Sequence, residues 1–122
     1  MTEILAATLD PHVLATLEDS VGGDRGFVAE LVETYLADGV LQVEAVEAAV
    51  AAGDAGGLVR PAHTLKSASY TVGAMRLGDI AKFLEARGRQ ELLQGAADDV
   101  AAARTEWAAV EAALRVWLGG PG

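Results

Sequence analysis

The stretch His63-Thr-Leu-Lys-Ser-Ala-Ser-Tyr-Thr-Val-Gly-Ala-Met-Arg-Leu77 decides the fold of this 122-residue chain, because its polar and apolar residues separate onto two sides of a helix. The side expected to face the core carries small and apolar residues at steps of three and four: Val59, Ala62, Leu65, Ser69 and Val72. The opposite side carries polar residues at positions i, i+3, i+4 and i+7: His63, Lys66, Ser67 and Tyr70. The pattern therefore predicts a helix that presents a histidine to solvent, with a cation and a small residue one turn further on.

Two helices are predicted before the histidine helix. Asp10 followed by Pro11 predicts an N-cap and a short helix to about Ser20, which ends near the glycine pair 22–23. Asp24 predicts the N-cap of a long amphipathic helix to about residue 52, in which Gly39 is a candidate for a bend. We expect the apolar side of the long helix to consist of Phe27, Val28, Leu31, Val32, Tyr35, Leu36, Val43, Val46 and Val50.

Three residues set the expected limits and shape of the histidine helix. Asp54 is the expected N-cap, and Gly73 is expected to end the helix in the left-handed conformation. Pro61 lies inside the helix, where it lacks the N–H group that would bond the carbonyl of Gly57. We therefore expect the helix to kink or to begin late.

Two further helices are predicted after Gly73. The first is expected over about 74–87, with an inner face of Leu77, Ile80, Ala81, Phe83 and Leu84, followed by a loose connection between Gly88 and Gly95. The second is expected over about 96–118, with a coiled-coil type of seam that places both tryptophans in the core: Val100, Ala103, Trp107, Val110, Leu114 and Trp117. The whole pattern predicts an all-α fold, an antiparallel up-and-down four-helix bundle with a short N-terminal helix. We expect one domain over residues 1–118 and a frayed tail over 119–122.

The composition limits the classes of protein to which the chain can belong. It contains no cysteine, which excludes disulfides and thiolate metal sites. No apolar run reaches the roughly 20 residues that span a bilayer, and the start Met-Thr-Glu-Ile-Leu lacks the basic residues of a signal peptide. We therefore expect a soluble, cytoplasmic protein that does not associate with membranes, and we expect the helical bundle to be a monomer.

The charge is unevenly distributed along the chain. A net charge of −9 argues against nucleic acid or an anionic membrane as a partner. Residues 60–89 nevertheless contain six basic and two acidic residues, whereas the remainder contains three basic and sixteen acidic residues. The basic segment suits a phosphoryl group and an acidic partner site, although chance clustering in a charge-poor stretch remains an alternative.

The outward face of the histidine helix supports few kinds of chemistry. The sequence contains no P-loop, no glycine-rich dinucleotide motif and no His-Glu-x-x-His pattern, and its two histidines, His12 and His63, fall in different predicted helices. Serine hydrolysis is disfavoured because only His63 itself could act as a base for Ser67 or Ser69. A neutral imidazole, however, is a competent nucleophile toward an activated phosphoryl group. The alternative is a solvent-exposed histidine without a function.

The histidine segment resembles the signature of histidine-containing phosphotransfer (HPt) domains. The matching residues are His63, Leu65, Lys66, Ser69, Gly73, Ala74, Leu77 and then Leu84-Glu85. The resemblance extends upstream to the segment around Asp24 to Leu36 and to Ala52-Gly-Asp54, so it covers nearly the whole chain. Two residues depart from the family pattern: Ser67, where glycine is most frequent, and Pro61.

The resemblance implies a role for each residue around the histidine. His63 would accept the phosphoryl group, Lys66 would compensate its charge, and Glu85 would accept a hydrogen bond from the imidazole and fix its tautomer. On the residues alone, an ion pair between Glu85 and Arg89 at i+4 is an equally good expectation for Glu85. Arg89 or Lys82 would assist the phosphoryl oxygens. The expected partner-docking residues are Val59, Ser67, Tyr70, Met75, Lys82 and Arg89.

The resemblance also implies a phosphorelay in two-component signalling. His63 would receive a phosphoryl group from the aspartate of one response-regulator receiver domain and pass it to another, upstream of which a hybrid sensor histidine kinase would act. The receiver would supply Mg²⁺, so no cofactor or metal is expected in this chain, which would be a phosphocarrier and not an enzyme. Two alternatives remain: a helical adaptor with an idle histidine, and a phosphotransfer domain of chemotaxis type that a separate kinase phosphorylates.

Overall fold

The computed structural model describes residues 8–119 and contains five helices there: α1 (Pro11–Ser20), α2 (Arg25–Ala51), α3 (Ala55–Val72), α4 (Met75–Gln90) and α5 (Ala96–Gly119). Helix α3 packs against α2 and α4, and α5 packs against the other sides of the same two helices. The four long helices therefore form a closed ring around one core, and α1 lies across α2 and α3. The predicted all-α four-helix bundle with a short N-terminal helix is confirmed. The expected tail over 120–122 and the first seven residues lie outside the described residues.

Aspartate side chains cap three of the helices, as the sequence predicts. Asp10 accepts a hydrogen bond from the backbone N–H of His12 at 2.9 Å, and Asp24 accepts one from Phe27 at 3.0 Å. Asp54 accepts the corresponding bond from Gly57 at 2.9 Å. Each carboxylate satisfies one of the N–H groups that have no partner inside a helix, which fixes the first residue of α1, α2 and α3.

The histidine helix begins and ends where its caps predict. Gly73 ends α3 with φ of +86°, and a Cβ atom there would lie 2.9 Å from the backbone oxygen of Asp10. Pro61 lies inside the helix, and α3 begins at Ala55, so of the two outcomes expected from Pro61 the late start does not occur and the kink stays a prediction. The Asp54 cap and the burial of Leu58 and Pro61 stabilise the first turns against the loss of one hydrogen bond.

The core is formed by one stripe of residues on each helix, and several residues predicted to be in the core lie outside this stripe. Phe27 and Phe83 are 51% and 63% exposed, because their neighbours Val28 and Leu84 continue the inward-facing steps of three and four. Val59 is half-buried for the same reason, since Leu58 takes the core position. Further predicted core residues lie only at the margin of the core: Leu31, Val50, Ile80, Val100 and Trp117.

Two glycines provide close contacts between helices that the sequence did not predict. Gly39 is buried where the ring of Trp107 crosses α2, and a Cβ atom at this position would overlap the ring. It therefore provides space for a close contact inside the continuous helix α2. Gly88 lies inside α4, which runs three residues further than predicted, and its backbone packs against Ala55 and Val59 of α3. No helix among the described residues has the length and apolar character needed to cross a bilayer.

We predict that Gly39→Ala destabilises the bundle. The new methyl group would collide with the ring of Trp107, which is only 2% exposed. Overpacking of this kind costs about 1–3 kcal/mol, against about 1 kcal/mol gained from the better helix propensity of alanine. The net loss therefore lies between about 0 and 2 kcal/mol. We expect urea denaturation to give a free energy of unfolding about 1 kcal/mol below that of the wild type.

The matched control for this prediction is Gly26→Ala. Gly26 lies in the same helix but is exposed, and the nearest atom to a methyl group at this position would be an Asp24 carboxylate oxygen at 3.4 Å. This variant should be as stable as the wild type or more stable. Equal stability of both variants would contradict the proposed clearance role of Gly39.

Candidate functional site

His63 and Glu85 meet where the middle of α3 faces α4. The His63 side chain is 54% exposed, whereas the Glu85 side chain is only 7% exposed. Nδ1 of His63 lies 3.0 Å from Oε2 of Glu85. The neighbours of His63 in sequence, Ala62 and Leu65, are fully in the core, so the backbone that carries the imidazole is fixed by packing.

Two cations share the Glu85 carboxylate with His63. Nζ of Lys66 lies 2.7 Å from Oε1, and the Arg89 guanidinium donates to Oε2 from Nε at 3.0 Å and from Nη2 at 2.7 Å. The sequence offered two partners for Glu85, the imidazole and Arg89, and the structure brings it together with both. One carboxylate therefore contacts three side chains from two helices.

These contacts keep Glu85 ionised although it is buried. Burial alone would raise its pKa, but the hydrogen bonds from Lys66, Arg89 and His63 outweigh this effect and lower the pKa to about 2. Near neutral pH the group is therefore a carboxylate and can only accept hydrogen bonds.

An ionised Glu85 determines the tautomer of the neutral imidazole. Because the carboxylate accepts, the proton of the neutral ring must lie on Nδ1, and the lone pair must lie on Nε2. Nε2 is on the far side of the ring from Glu85, on a side chain that is half open to solvent. The arrangement thus leaves a nitrogen with a free lone pair, which can act as a nucleophile, on the side of the ring away from Glu85.

The residues expected to dock a partner lie on the outer sides of α3 and α4. Ser67 and Lys82 are exposed, and Met75 is 43% exposed at the start of α4. Val59 is half-buried and packs on Gly88, so only part of its side chain faces outward. Arg89 belongs to the Glu85 cluster itself.

Tyr70 is held against α4 by two residues that the sequence did not indicate. Its hydroxyl donates to Oδ1 of Asp79 at 2.6 Å, which raises the pKa of Tyr70 to about 12. Its ring covers Gly78, where a Cβ atom would overlap it. A glycine inside a helix is the only signal that could have indicated this close contact.

The basic segment 60–89 does not act as one patch. Lys66 and Arg89 contact Glu85 beside the histidine, whereas Arg76 and Arg87 pair with Glu106 and Asp99 of α5 at 3.8 and 2.6 Å. The charges of the latter two are therefore compensated by the acidic last helix. Within residues 8–119, no group of three or more potential ligands is placed to hold a metal ion.

Comparisons with known proteins identify a family and a similar solved structure. A family model described as "Hpt domain" matches residues 30–113. The crystal structure of histidine-containing phosphotransfer protein B from Pseudomonas aeruginosa PAO1 superposes with a TM-score of 0.84 at 30% sequence identity. The match covers 91% of this chain and 94% of that one. The comparison with curated protein sequences gave no significant match.

We predict that Glu85 makes the stability of the bundle depend on pH in the acidic range. Its pKa in the folded state lies below the ordinary value of 4.5, so its stabilising effect is complete above pH 4.5 and is lost as the pH falls towards 2. At about 1.4 kcal/mol per pKa unit, the loss is on the order of 3 kcal/mol. Urea denaturation at several pH values should therefore show a steeper acid loss for the wild type than for Glu85→Gln.

Glu33→Gln provides the control, because it removes the same charge from an exposed position on α2. We expect its stability to follow the wild-type pH dependence. If the curves of the wild type and Glu85→Gln ran parallel between pH 5 and pH 2, the ion pairs of Glu85 would contribute nothing to folding.

Proposed function

Because the chain belongs to the Hpt domain family, whose members carry phosphoryl groups in two-component signalling, we propose that His63 is the phosphoryl-accepting residue of this phosphorelay intermediate. The observation that supports this assignment best is the contact between Nδ1 of His63 and ionised Glu85, which leaves Nε2 free on the exposed side of the ring. The other histidine, His12, lies at the start of α1 and has no such partner among the described residues.

The proposed reaction is a direct transfer between a carboxylate and the imidazole. The lone pair of Nε2 attacks phosphorus in an aspartyl phosphate, the Nε2–P bond forms, and the P–O bond to aspartate breaks. The aspartate carboxylate leaves with the electron pair, and the proton stays on Nδ1. Transfer to a second receiver reverses these steps.

Glu85 and Lys66 support this reaction by their charges. The imidazole becomes positively charged as the Nε2–P bond forms, and the carboxylate of Glu85, 3.0 Å from Nδ1, stabilises this charge. The wild-type site needs no base, because the attacking nitrogen carries no proton. Lys66, at 2.7 Å from Oε1, keeps Glu85 in place and adds positive charge near the phosphoryl group.

The proposed partners are receiver domains of response regulators, with a hybrid sensor histidine kinase upstream. The family works with receiver domains and kinases, and the exposed or half-buried residues around His63 offer a surface for docking: Val59, Ser67, Tyr70, Met75 and Lys82. We propose that the receiver supplies the Mg²⁺ ion, because the acidic residues that would hold it belong to the receiver. In this role the chain acts as a monomer.

Hpt family members are phosphocarriers, and we propose that this chain has no kinase activity of its own. Residues 1–118 would act as a single carrier unit in the cytoplasm, where ATP-dependent kinases supply the phosphoryl group. Transfer from a receiver is favoured over direct phosphorylation by a kinase of chemotaxis type, and the assay below separates the two sources.

We predict that His63→Gln abolishes phosphoryl acceptance and leaves the fold intact. The side chain is 54% exposed, so its replacement removes the nucleophile with little change in packing. The measurement is the transfer of ³²P from phosphorylated receiver domains of the same organism to the protein, with circular dichroism as the check on folding. The label should be labile in acid and stable in base, as expected for phosphohistidine.

His12→Gln is the matched control, because it removes the only other histidine. It should accept phosphate at the wild-type rate. Transfer to His63→Gln would show that another residue is the acceptor. If only a separate kinase labelled the wild type, the phosphoryl donor would be that kinase and not a receiver. If no receiver or kinase labelled the wild type, the adaptor role would be correct.

A further inference from the structure

Arg89 binds Glu85 in a way that leaves much of its hydrogen-bonding capacity unused. Nε and Nη2 both donate to one oxygen, Oε2, so the guanidinium does not form the two-oxygen contact that suits a carboxylate. A guanidinium has five N–H groups, and only two are engaged here. The Arg89 side chain is 60% exposed, so the remaining donors are accessible.

The cluster around His63 contains one more cation than anion. Glu85 carries one negative charge, and Lys66 and Arg89 carry two positive charges, which leaves one positive charge in excess beside the neutral form of the imidazole that attacks phosphorus. A phosphoryl group adds a charge of about −1.5 to −2 near neutral pH. Because the ring keeps its proton on Nδ1 and becomes positively charged, the net charge of the cluster changes by only about −1, which cancels the surplus charge and gives the surplus cation a stronger anionic partner.

Arg89 can leave Glu85 at a lower cost than Lys66. Oε2 would still accept from Nδ1 of His63 at 3.0 Å after Arg89 had left. Oε1 is buried, and the ion pair with Lys66, whose side chain is 25% exposed, is its only described polar contact, so the departure of Lys66 would leave this oxygen without any partner. Arg89 and His63 also share Oε2, which makes the guanidinium an immediate neighbour of the imidazole.

We propose that Arg89 moves from Glu85 to the phosphoryl group when His63 is phosphorylated, and that Lys66 stays on Glu85. The inference rests on the proposed function, because it takes His63 as the phosphorylated residue. Arg89 then gains a two-oxygen contact with the phosphoryl group, which its planar fork fits. Glu85 keeps its contacts with Lys66 and with Nδ1, so the imidazole retains its orientation in both states.

The test uses the complete chain and a small phosphoryl donor, so it needs no receiver. Nε2 attacks the phosphorus of phosphoramidate, the N–P bond of the donor breaks, and its nitrogen leaves as ammonia with a proton from water. The ³¹P chemical shift of each phosphohistidine is then followed against pH, and signals are assigned with His12→Gln and His63→Gln. A cation bound to the phosphoryl group favours the dianion and lowers its second pKa.

In Arg89→Ala we expect the second pKa of the phosphoryl group on His63 to rise by about 0.5–1 unit. Phosphohistidine at position 12 is the reference in the same molecule and should not change. Arg76→Ala is the matched control: Arg76 lies on the same helix, is also 60% exposed and also pairs with a largely buried glutamate, but it is about 20 Å along the helix from Arg89. It should leave the pKa at His63 unchanged.

The same measurement in a Glu85→Gln background separates direct binding from an effect through Glu85. If Arg89 binds the phosphoryl group, Arg89→Ala should raise the phosphoryl pKa in this background as well. If Arg89 only positions Glu85, the effect should disappear once Glu85 is neutral. Either its disappearance or an unchanged pKa in Arg89→Ala alone would overturn the proposal.

The two proposals fail in different experiments. Absence of transfer from every receiver would remove the relay function but would not affect the ³¹P titration. Labelling of His12 without labelling of His63 by phosphoramidate would overturn the inference on Arg89, whatever the receivers do. Arg89→Lys adds a further check, because lysine keeps the positive charge but cannot make the two-oxygen contact. Compared with Arg89→Ala, it should restore most of the lowering of the second pKa of the phosphoryl group.

Discussion

The close approach of α3 and α4 is the constraint on which the site depends. Gly88 lets the backbone of α4 touch Ala55 and Val59, and Gly78 accepts the ring of Tyr70. These two contacts lie on either side of the pair formed by His63 and Glu85. A short carboxylate can reach an imidazole on the neighbouring helix only at such a separation, so small residues on α4 determine the chemistry on α3.

The rotation of α3 about its axis is fixed from the other side of the bundle. The hydroxyl groups of Ser69 and Tyr35 share a hydrogen bond of 2.8 Å in the core between α3 and α2. Tyr35 in turn packs against Trp107 of α5, with ring centroids 5.5 Å apart, and Trp107 rests on Gly39. A rotation of α3 about its axis that moved His63 would break the buried hydrogen bond between Ser69 and Tyr35 and would disturb the packing of Tyr35 on Trp107. The exposed histidine is therefore carried by a rigid helix.

The sequence predicted what local rules control and missed what depends on neighbouring helices. Asp10, Asp24 and Asp54 cap helices through their own backbone, so the helix starts could be read from the chain. Phe27 looked like a core residue because it is large and apolar, but only the packed bundle decides between it and Val28. From the sequence alone, Gly88 indicates the start of a loop, because its role in packing appears only when α3 lies against it. The pairing of Glu85 with either His63 or Arg89 was foreseen, whereas its simultaneous contact with Lys66 requires the distance between two helices.

A carrier must hold a phosphoryl group without hydrolysing it, and the cluster around Glu85 is suited to this requirement. Glu85 stays ionised through the physiological pH range, because the hydrogen bonds that it accepts hold its pKa at about 2. The imidazole therefore keeps one tautomer until the phosphoryl group arrives.

No acidic or basic group other than Glu85 is in hydrogen-bonding contact with the ring among the described residues, and Glu85 is occupied with Nδ1 on the side away from Nε2. A water molecule near the phosphoryl group thus finds no base to activate it, whereas a partner that brings its own carboxylate and metal ion can complete the transfer. In the proposed relay, the site would therefore prepare the nucleophile and leave the remaining catalytic groups to the partner.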